Sequence, residues 1–506
     1  MAKDDDNNEP YSIFSARQKA TIVAITVIST AMLTALPVNI YYPALNIIKE
    51  DMHTTTENMN FTVTIYIIAQ AIAPAFWGPI ADRTGRRPMY LMATLTFVLS
   101  CVGLALAPNY PVLLAMRLLQ SFGASPTVAI VCGIIGDISP PSSRGTYFAI
   151  MSGVRHVVTT TGPMVGGIVA QKTSWRWIWW IMVISGGAIF ALMLFLVPET
   201  LRSLVGNGSG YANPTPTQWW RHRKQQRQRA KLRQSGEEGY QSSSVDEEGA
   251  SSITHIPAQQ QRKPINLLKP LLFLKEWDVL CALLFGGLCF GTQQSFLVTT
   301  SHILASVYHL SVMNVGLCFM TGGAGSLAGA LSTGRIMDYE FKRVALEACG
   351  HVPKRGSLSS DFPIFKARLR YPLCLAAILE AAVMVFGWSV YTVQPLPVTL
   401  TIVFIFCFTH ASIFSSIQVL MVDLFPADSS SITATNNLVR CTLAAIGTAT
   451  VDLGIRAIGV QWTCFAISMI LVVSNILPIA LIIYGTRWRS RRMEKESSLA
   501  KEKNKA

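Results

Sequence analysis

Charge is scarce in this chain. Of its 506 residues, 14% are Asp, Glu, Lys or Arg, against about 25% in ordinary soluble proteins. With 51% hydrophobic residues and a mean hydropathy of +0.39, that shortfall argues against one large soluble core. Acids are the scarcer sign: 28 Asp and Glu stand against 42 Lys and Arg, a formal net charge of +14. The ten cysteines are scattered without C-x-x-C spacing, so neither a metal site nor a disulfide framework is indicated. No G-x-x-x-x-G-K-[ST] phosphate loop and no metal-ligand cluster occur. An enzyme, a cofactor and a bound metal are therefore not expected. Nor is a cleavable signal peptide, because residues 1–19 are polar and the first apolar block is longer than a signal core.

What is there is a series of apolar runs. A run of about 18–20 residues spans a bilayer as a helix. Twelve occur, near 20–43, 60–80, 89–107, 110–136, 145–170, 177–197, 278–300, 312–336, 371–391, 397–421, 431–454 and 459–484. They predict an all-α polytopic membrane protein with 12 transmembrane helices in two six-helix halves, 20–197 and 277–485. A tail (1–19), a central segment (198–276) and a basic tail (486–506) complete the chain. Most Lys and Arg lie in the tails and after spans 2, 4, 6 and 8, which puts both termini in the cytoplasm. That asymmetry accounts for the positive charge without nucleic acid. The central segment carries RHRKQQRQRAKLRQ and then a Ser/Glu run. With too few apolar residues for a core, it reads as a mostly disordered linker. Trp219 and Trp220 beside the basic run either dip into an anionic leaflet or ride on a solvated tether. A second charged insertion, 338–370, follows span 8. The lipid bilayer is a partner, and a monomer is expected.

Between spans 2 and 3 the chain reads GPIADRTGRR, Gly78 to Arg87. Gly78, Asp82, Arg83, Gly85, Arg86 and Arg87 combine helix-packing glycines, an acid able to cap a helix or pair with arginine, and anchoring cations. Asp137 and Arg144, after span 4, fall on the same face and are candidate partners in a gate. Arg117 lies inside span 4, where a charge is costly and needs partners; Gln120 is one turn away. Arg117 serves either a proton-coupled step or a structural bond to carbonyls. Span 5 carries Arg155, then Gly162, Pro163, Gly166 and Gly167. Proline kinks a helix, and the Gly-x-x-x-Gly spacing lets a neighbour cross closely. Arg440 in span 11 precedes Gly447 by seven residues, as Arg155 precedes Gly162. Gly334-x-x-x-Asp338 likewise repeats Gly78-x-x-x-Asp82, so the halves are faintly alike. Arg155 and Arg440 either clamp an anionic ligand at the midplane or pair with protein acids. Glu380 and Asp423 are the acids available, and span 1 has none. Glu380 and His410 are the titratable candidates. Asn39, Tyr41, Tyr42 and Gln70 are candidates for a cavity lining or for helix–helix contacts.

The loop Gly78–Arg87 resembles the signature between spans 2 and 3 of the major facilitator superfamily. NIYYPAL, GIIGDISPPSSRG, VPETLRSLVGNG, DFPIFKARLR and VDLFPADSSSITATNNLVRC are similar to the fungal twelve-span drug:proton antiporters of the quinidine-resistance-like branch, including fungal citrate exporters. The resemblance implies the major facilitator fold and a plasma-membrane exporter working by alternating access on a small-molecule substrate, with protons as a candidate second partner. R-x-x-Q-x-x-G from Arg117 resembles the motif of proton-coupled members, and TGPMVGG resembles the antiporter motif. SGVR followed by GPMVGG resembles the citrate exporters, which implies a di- or tricarboxylate or another acidic metabolite. The alternative is a broad-specificity multidrug:proton antiporter.

Overall fold

The computed structural model describes residues 13–234, 269–310, 312–350 and 362–505. Among them no strand occurs, and eleven helices are long and apolar enough to cross a membrane. In chain order these are α1 (Ala16–Asn39), α2 (Glu57–Thr84), α3 (Arg86–Ala105), α4 (Tyr110–Ile138), α6 (Arg176–Leu196), α7 (Trp277–Thr300), α8 (Asn314–Ala348), α9 (Ile364–Tyr391), α10 (Leu396–Leu424), α11 (Pro426–Ile458) and α12 (Val460–Lys495). The fifth expected span is α5 (Pro141–Lys172). Its 32 residues are ample, since about 20 suffice. Arg144, Arg155, His156 and three consecutive threonines make it less apolar than the others.

Local chemistry sets the ends of these helices. Ser15 and Gln18 form a reciprocal capping box at the start of α1. Asn109 caps α4 through the Val112 amide at 3.2 Å. Gly85, at φ +122°, turns α2 into α3; a Cβ there would also run into the Glu199 carboxylate. Inside α1 the ladder loosens into a π-helical turn, Ala31–Ala35. Ala31 and Ala35 pack there against Val158 of α5.

Each half has its own apolar core, one built from α1–α6 and the other from α7–α12. Met337, Val419 and Val422 of the second half insert into the first core. Large apolar side chains such as Leu99, Ile184, Leu453 and Val473 remain exposed on the outside, as lipid-facing residues do. The halves meet where α5 packs on α8 and α2 on α11. Small residues set that approach: a Cβ on Gly78 would lie 3.1 Å from the Ser430 carbonyl oxygen, and one on Gly334 3.0 Å from the Thr146 Cα.

The described ends of the chain, residues 198–234 and the α2–α3, α4–α5, α8–α9 and α10–α11 turns share one face, called here the terminal face. The basic run of the central segment is helical, Pro216–Gln234, whereas composition alone suggested a tether. Residues 235–268, with the Ser/Glu run, lie outside the described residues, as do 351–361 of the second insertion. The first part of that insertion continues α8 as helix.

Candidate functional site

Two layers of polar chemistry lie along the seam between the halves. The first closes the terminal face. Asp82, at the end of α2, accepts hydrogen bonds from the amides of Ser430 (3.3 Å) and Ser431 (2.9 Å) and from the Ser431 hydroxyl (2.5 Å). A carboxylate at a helix N-terminus meets both free amides and the positive end of the dipole. Asp338, at the equivalent place in α8, does the same for α5. It accepts from the amides of Gly145 (3.0 Å) and Thr146 (3.1 Å) and from the Thr146 hydroxyl (2.6 Å). Each half thus offers the aspartate of its G-x-x-x-D to backbone amides in the first two turns of a helix of the other.

Arginines stitch these contacts together. Arg86 pairs with Asp82, donates to Asp137 at 3.2 Å and reaches the Ser429 hydroxyl at 2.9 Å and that of Ser430. Gly133 on α4 makes room for it: a Cβ would lie 2.6 Å from the Arg86 Cζ. On the other side Arg144 pairs with Asp423 of α10. Arg368 donates to the same carboxylate at 2.9 Å and to the Pro141 carbonyl at 2.7 Å. All these arginines are buried. Buried charges persist only when paired and hydrogen-bonded, and here each arginine has at least one partner in the opposite half.

Two loop arginines stand apart. Arg87 turns away from the seam and donates to carbonyls at the end of α6, including Leu194 (2.7 Å) and Val197 (3.1 Å). Arg83 takes no part in the network. Glu199, which sequence reasoning passed over, caps α3 by accepting from the Arg86 amide at 2.9 Å and also holds Asn213 at 2.9 Å. Its signal in the sequence is a lone acid directly after span 6, in VPET.

The second layer lies deeper in the seam. Arg155 of α5 and Arg440 of α11 are electrostatic neighbours that repel one another. Arg440 is 4% exposed. Its guanidinium sits 4.4 Å from the Phe290 ring centroid and 5.3 Å from that of Phe414, and it donates to the Asn437 side chain at 2.5 Å. Asn437 in turn donates to the Gln70 carbonyl at 2.6 Å, which ties α11 to α2. Arg155 is half-buried. Among the described residues no carboxylate hydrogen-bonds or ion-pairs with Arg155 or Arg440. Of the two candidate acids, Asp423 belongs to the closure network, and Glu380 accepts from Asn475 of α12 at 2.6 Å. Neither reaches the arginine pair.

The remaining candidates hold the frame of this site. Arg117 is buried in a cage of aromatic rings, 4.1 Å from the Tyr41 centroid, 4.4 Å from Tyr66 and 5.5 Å from Trp179. It donates to Gln120 at 2.7 Å. Asn39 bonds back to the Ala35 carbonyl at 2.7 Å. The Gln70 side chain has no hydrogen bond among the described residues, and the Tyr42 side chain lies outside them. Gly162 and Gly166 press α5 onto the end of α1: a Cβ on Gly162 would lie 2.8 Å from the Asn39 Cβ, and one on Gly166 would overlap the Ile40 carbonyl oxygen. Pro163 lies within α5, and Gly167 has ordinary clearance. In the other half Gly447 packs α11 on α7, against Ser295 and Gly291.

A model of the Major Facilitator Superfamily matches residues 27–448. The chain belongs to this superfamily. Citrate exporter 1 of Aspergillus niger is 33% identical over 491 residues, 96% of this chain and 89% of that protein. Quinidine resistance protein 1 of Saccharomyces cerevisiae is 32% identical over 460 residues, 86% of this chain and 78% of that protein. The solved structure of the proton:xylose symporter XylE superposes with a TM-score of 0.66 at 12% identity, covering 93% of this chain and 97% of that one. The fold is therefore that of a multi-pass major facilitator transporter, as the resemblance of the Gly78–Arg87 loop implies.

Proposed function

We propose that this transporter exports a small organic anion, a citrate-like di- or tricarboxylate or another acidic metabolite, across the plasma membrane by alternating access. The observation that carries this reading is the pair Arg155 and Arg440, two guanidinium groups in the seam with no protein carboxylate bound to either. Arginine presents a planar fork suited to carboxylate, so an anion entering the seam relieves their mutual repulsion. Gln70 and Asn39 line the approach. The similarity to Citrate exporter 1 supports the substrate class.

In the same reading the protein is a monomer with both termini in the cytoplasm, and the network around Asp82, Arg86, Asp137 and Arg144 is the cytoplasmic gate. An anion leaving a negative-inside cell gains about 2.3 kcal/mol per charge per 100 mV, so export does not require a proton. If protons are coupled, Glu380 and Arg117 carry that step. A broad-specificity drug:proton antiporter is the second reading, favoured by the similarity to Quinidine resistance protein 1. It makes Glu380 the essential group.

The test is to express the chain in yeast and profile the medium by mass spectrometry beside drug-resistance plates. Secretion of a carboxylate absent from the empty-vector control supports the anion reading. Drug resistance without any secreted acid overturns it in favour of the second.

A further inference from the structure

His410 has no role in the site as described. It lies on α10, 1% exposed, and neither ring nitrogen has a hydrogen-bond partner. Around it stand rings that offer no hydrogen bond: Phe406 at 6.3 Å between centroids, Phe414 at 6.2 Å and Phe290 at 6.3 Å. Phe290 and Phe414 also flank the Arg440 guanidinium of α11, at 4.4 and 5.3 Å, so His410 and Arg440 share the same two rings; His156 of α5, next to Arg155 in the chain, is a further electrostatic neighbour of His410. Three helices from both halves thus bring two imidazoles and two guanidinium groups together. A buried polar atom left unpartnered is costly. Apolar walls cannot relieve that cost, whereas a polar group entering the seam can.

We propose that His410 is a specificity-determining residue that receives a third acidic group, the other two being held by Arg155 and Arg440. The transporter then prefers a compact tricarboxylate over a dicarboxylate. A neutral imidazole carries one N–H donor and one acceptor nitrogen. The N–H donates to a carboxylate, and the bare nitrogen accepts a hydroxyl or carboxylic acid O–H. His156 adds a second imidazole beside the same subsite. The proposal rests on the anion-export reading.

The experiment uses the full chain in liposomes loaded with radiolabelled citrate, with unlabelled citrate and succinate as competitors. Wild type favours citrate by about tenfold or more, since a site built to hydrogen-bond a group discriminates against analogues that lack it. In His410→Phe, whose ring suits the phenylalanine surroundings, the citrate preference collapses to about twofold or less while competition by succinate is unchanged. His410→Gln keeps a donor and an acceptor and retains most of the preference. Arg155→Ala weakens both acids together. An unchanged preference in His410→Phe, equal losses in the Phe and Gln variants, or no citrate preference in wild type each overturns the proposal. If no carboxylate competes in wild type, the anion-export reading has failed and the proposal falls with it.

Discussion

Asp82→Ala isolates the closure of the terminal face. The carboxylate holds two amides and one hydroxyl of α11 at 2.5–3.3 Å and pairs with Arg86. Charge-assisted bonds of this kind contribute about 1.5–3 kcal/mol each, partly offset because the freed amides regain water. Arg86 keeps Asp137 at 3.2 Å, so no buried charge is stranded, and the loss of about 3–5 kcal/mol seen when a buried ion loses its only partner does not apply. A net cost of about 2–4 kcal/mol remains. The hydrogen-bond partners lie across the seam, so the cost falls on the closed state. At about 1.4 kcal/mol per tenfold, the equilibrium moves toward opening by about 30- to 700-fold. Cys132 reports it: the thiol is fully buried and has Arg86, Arg155 and Arg440 as electrostatic neighbours, between gate and deeper site. In a background retaining only Cys132, an impermeant maleimide applied from the terminal face should alkylate Asp82→Ala at least about tenfold faster than the parent, a conservative reading of that shift. An unchanged rate in a folded variant refutes the argument that these bonds hold the face shut.

Three further outcomes follow from the same structure. Gly166→Ala places a methyl on the Ile40 carbonyl and should destabilise the fold by about 1–3 kcal/mol, read as a lower unfolding temperature in detergent. Glu199→Ala uncaps α3 and removes one of the two hydrogen bonds of the Asn213 side chain; a cost of about 1–3 kcal/mol should appear as a lower unfolding temperature and less protein at the membrane. On the opposite face, Asp51 accepts from the Trp175 indole at 2.9 Å and Arg176 at 3.0 Å, and these bonds hold its carboxyl below the usual carboxylate range. A depressed pKa stabilises the fold above the unfolded value of about 3.9, and the contribution fades as pH falls through the folded one. Thermal stability should therefore drop on acidification below about pH 4, and Asp51→Asn should flatten that part of the profile.

Much of this was legible in the chain because it depends on composition and short spacing. Apolar run length marks helices, and the G-x-x-x-D repeats mark Asp82 and Asp338 as equivalent positions in the two halves. Contacts between distant segments were not legible. Asp423 pairs with Arg144 and Arg368, which lie 279 and 55 positions away, and no local pattern encodes that. Glu380 looked like a central acid because it is a carboxylate within a span, yet Asn475 holds it on the α9–α12 side. Arg83, Arg86 and Arg87 are indistinguishable as loop cations. Their directions around the helix ends decide that one joins the seam, one caps α6 and one does neither. The π-helical turn of α1 left no signal either, since AMLTA is an ordinary apolar string.

The central claim is that Arg155 and Arg440 together bind an anion. The most direct measurement is electrogenic citrate efflux from liposomes holding the purified chain, with the membrane potential clamped, comparing wild type with Arg155→Ala, Arg440→Ala and the double variant. The account predicts a voltage-driven efflux that each single variant reduces by about a hundredfold or more, the worth of one charge-assisted carboxylate contact of about 3 kcal/mol, and that the double variant reduces further still. Undiminished efflux in the double variant would contradict it.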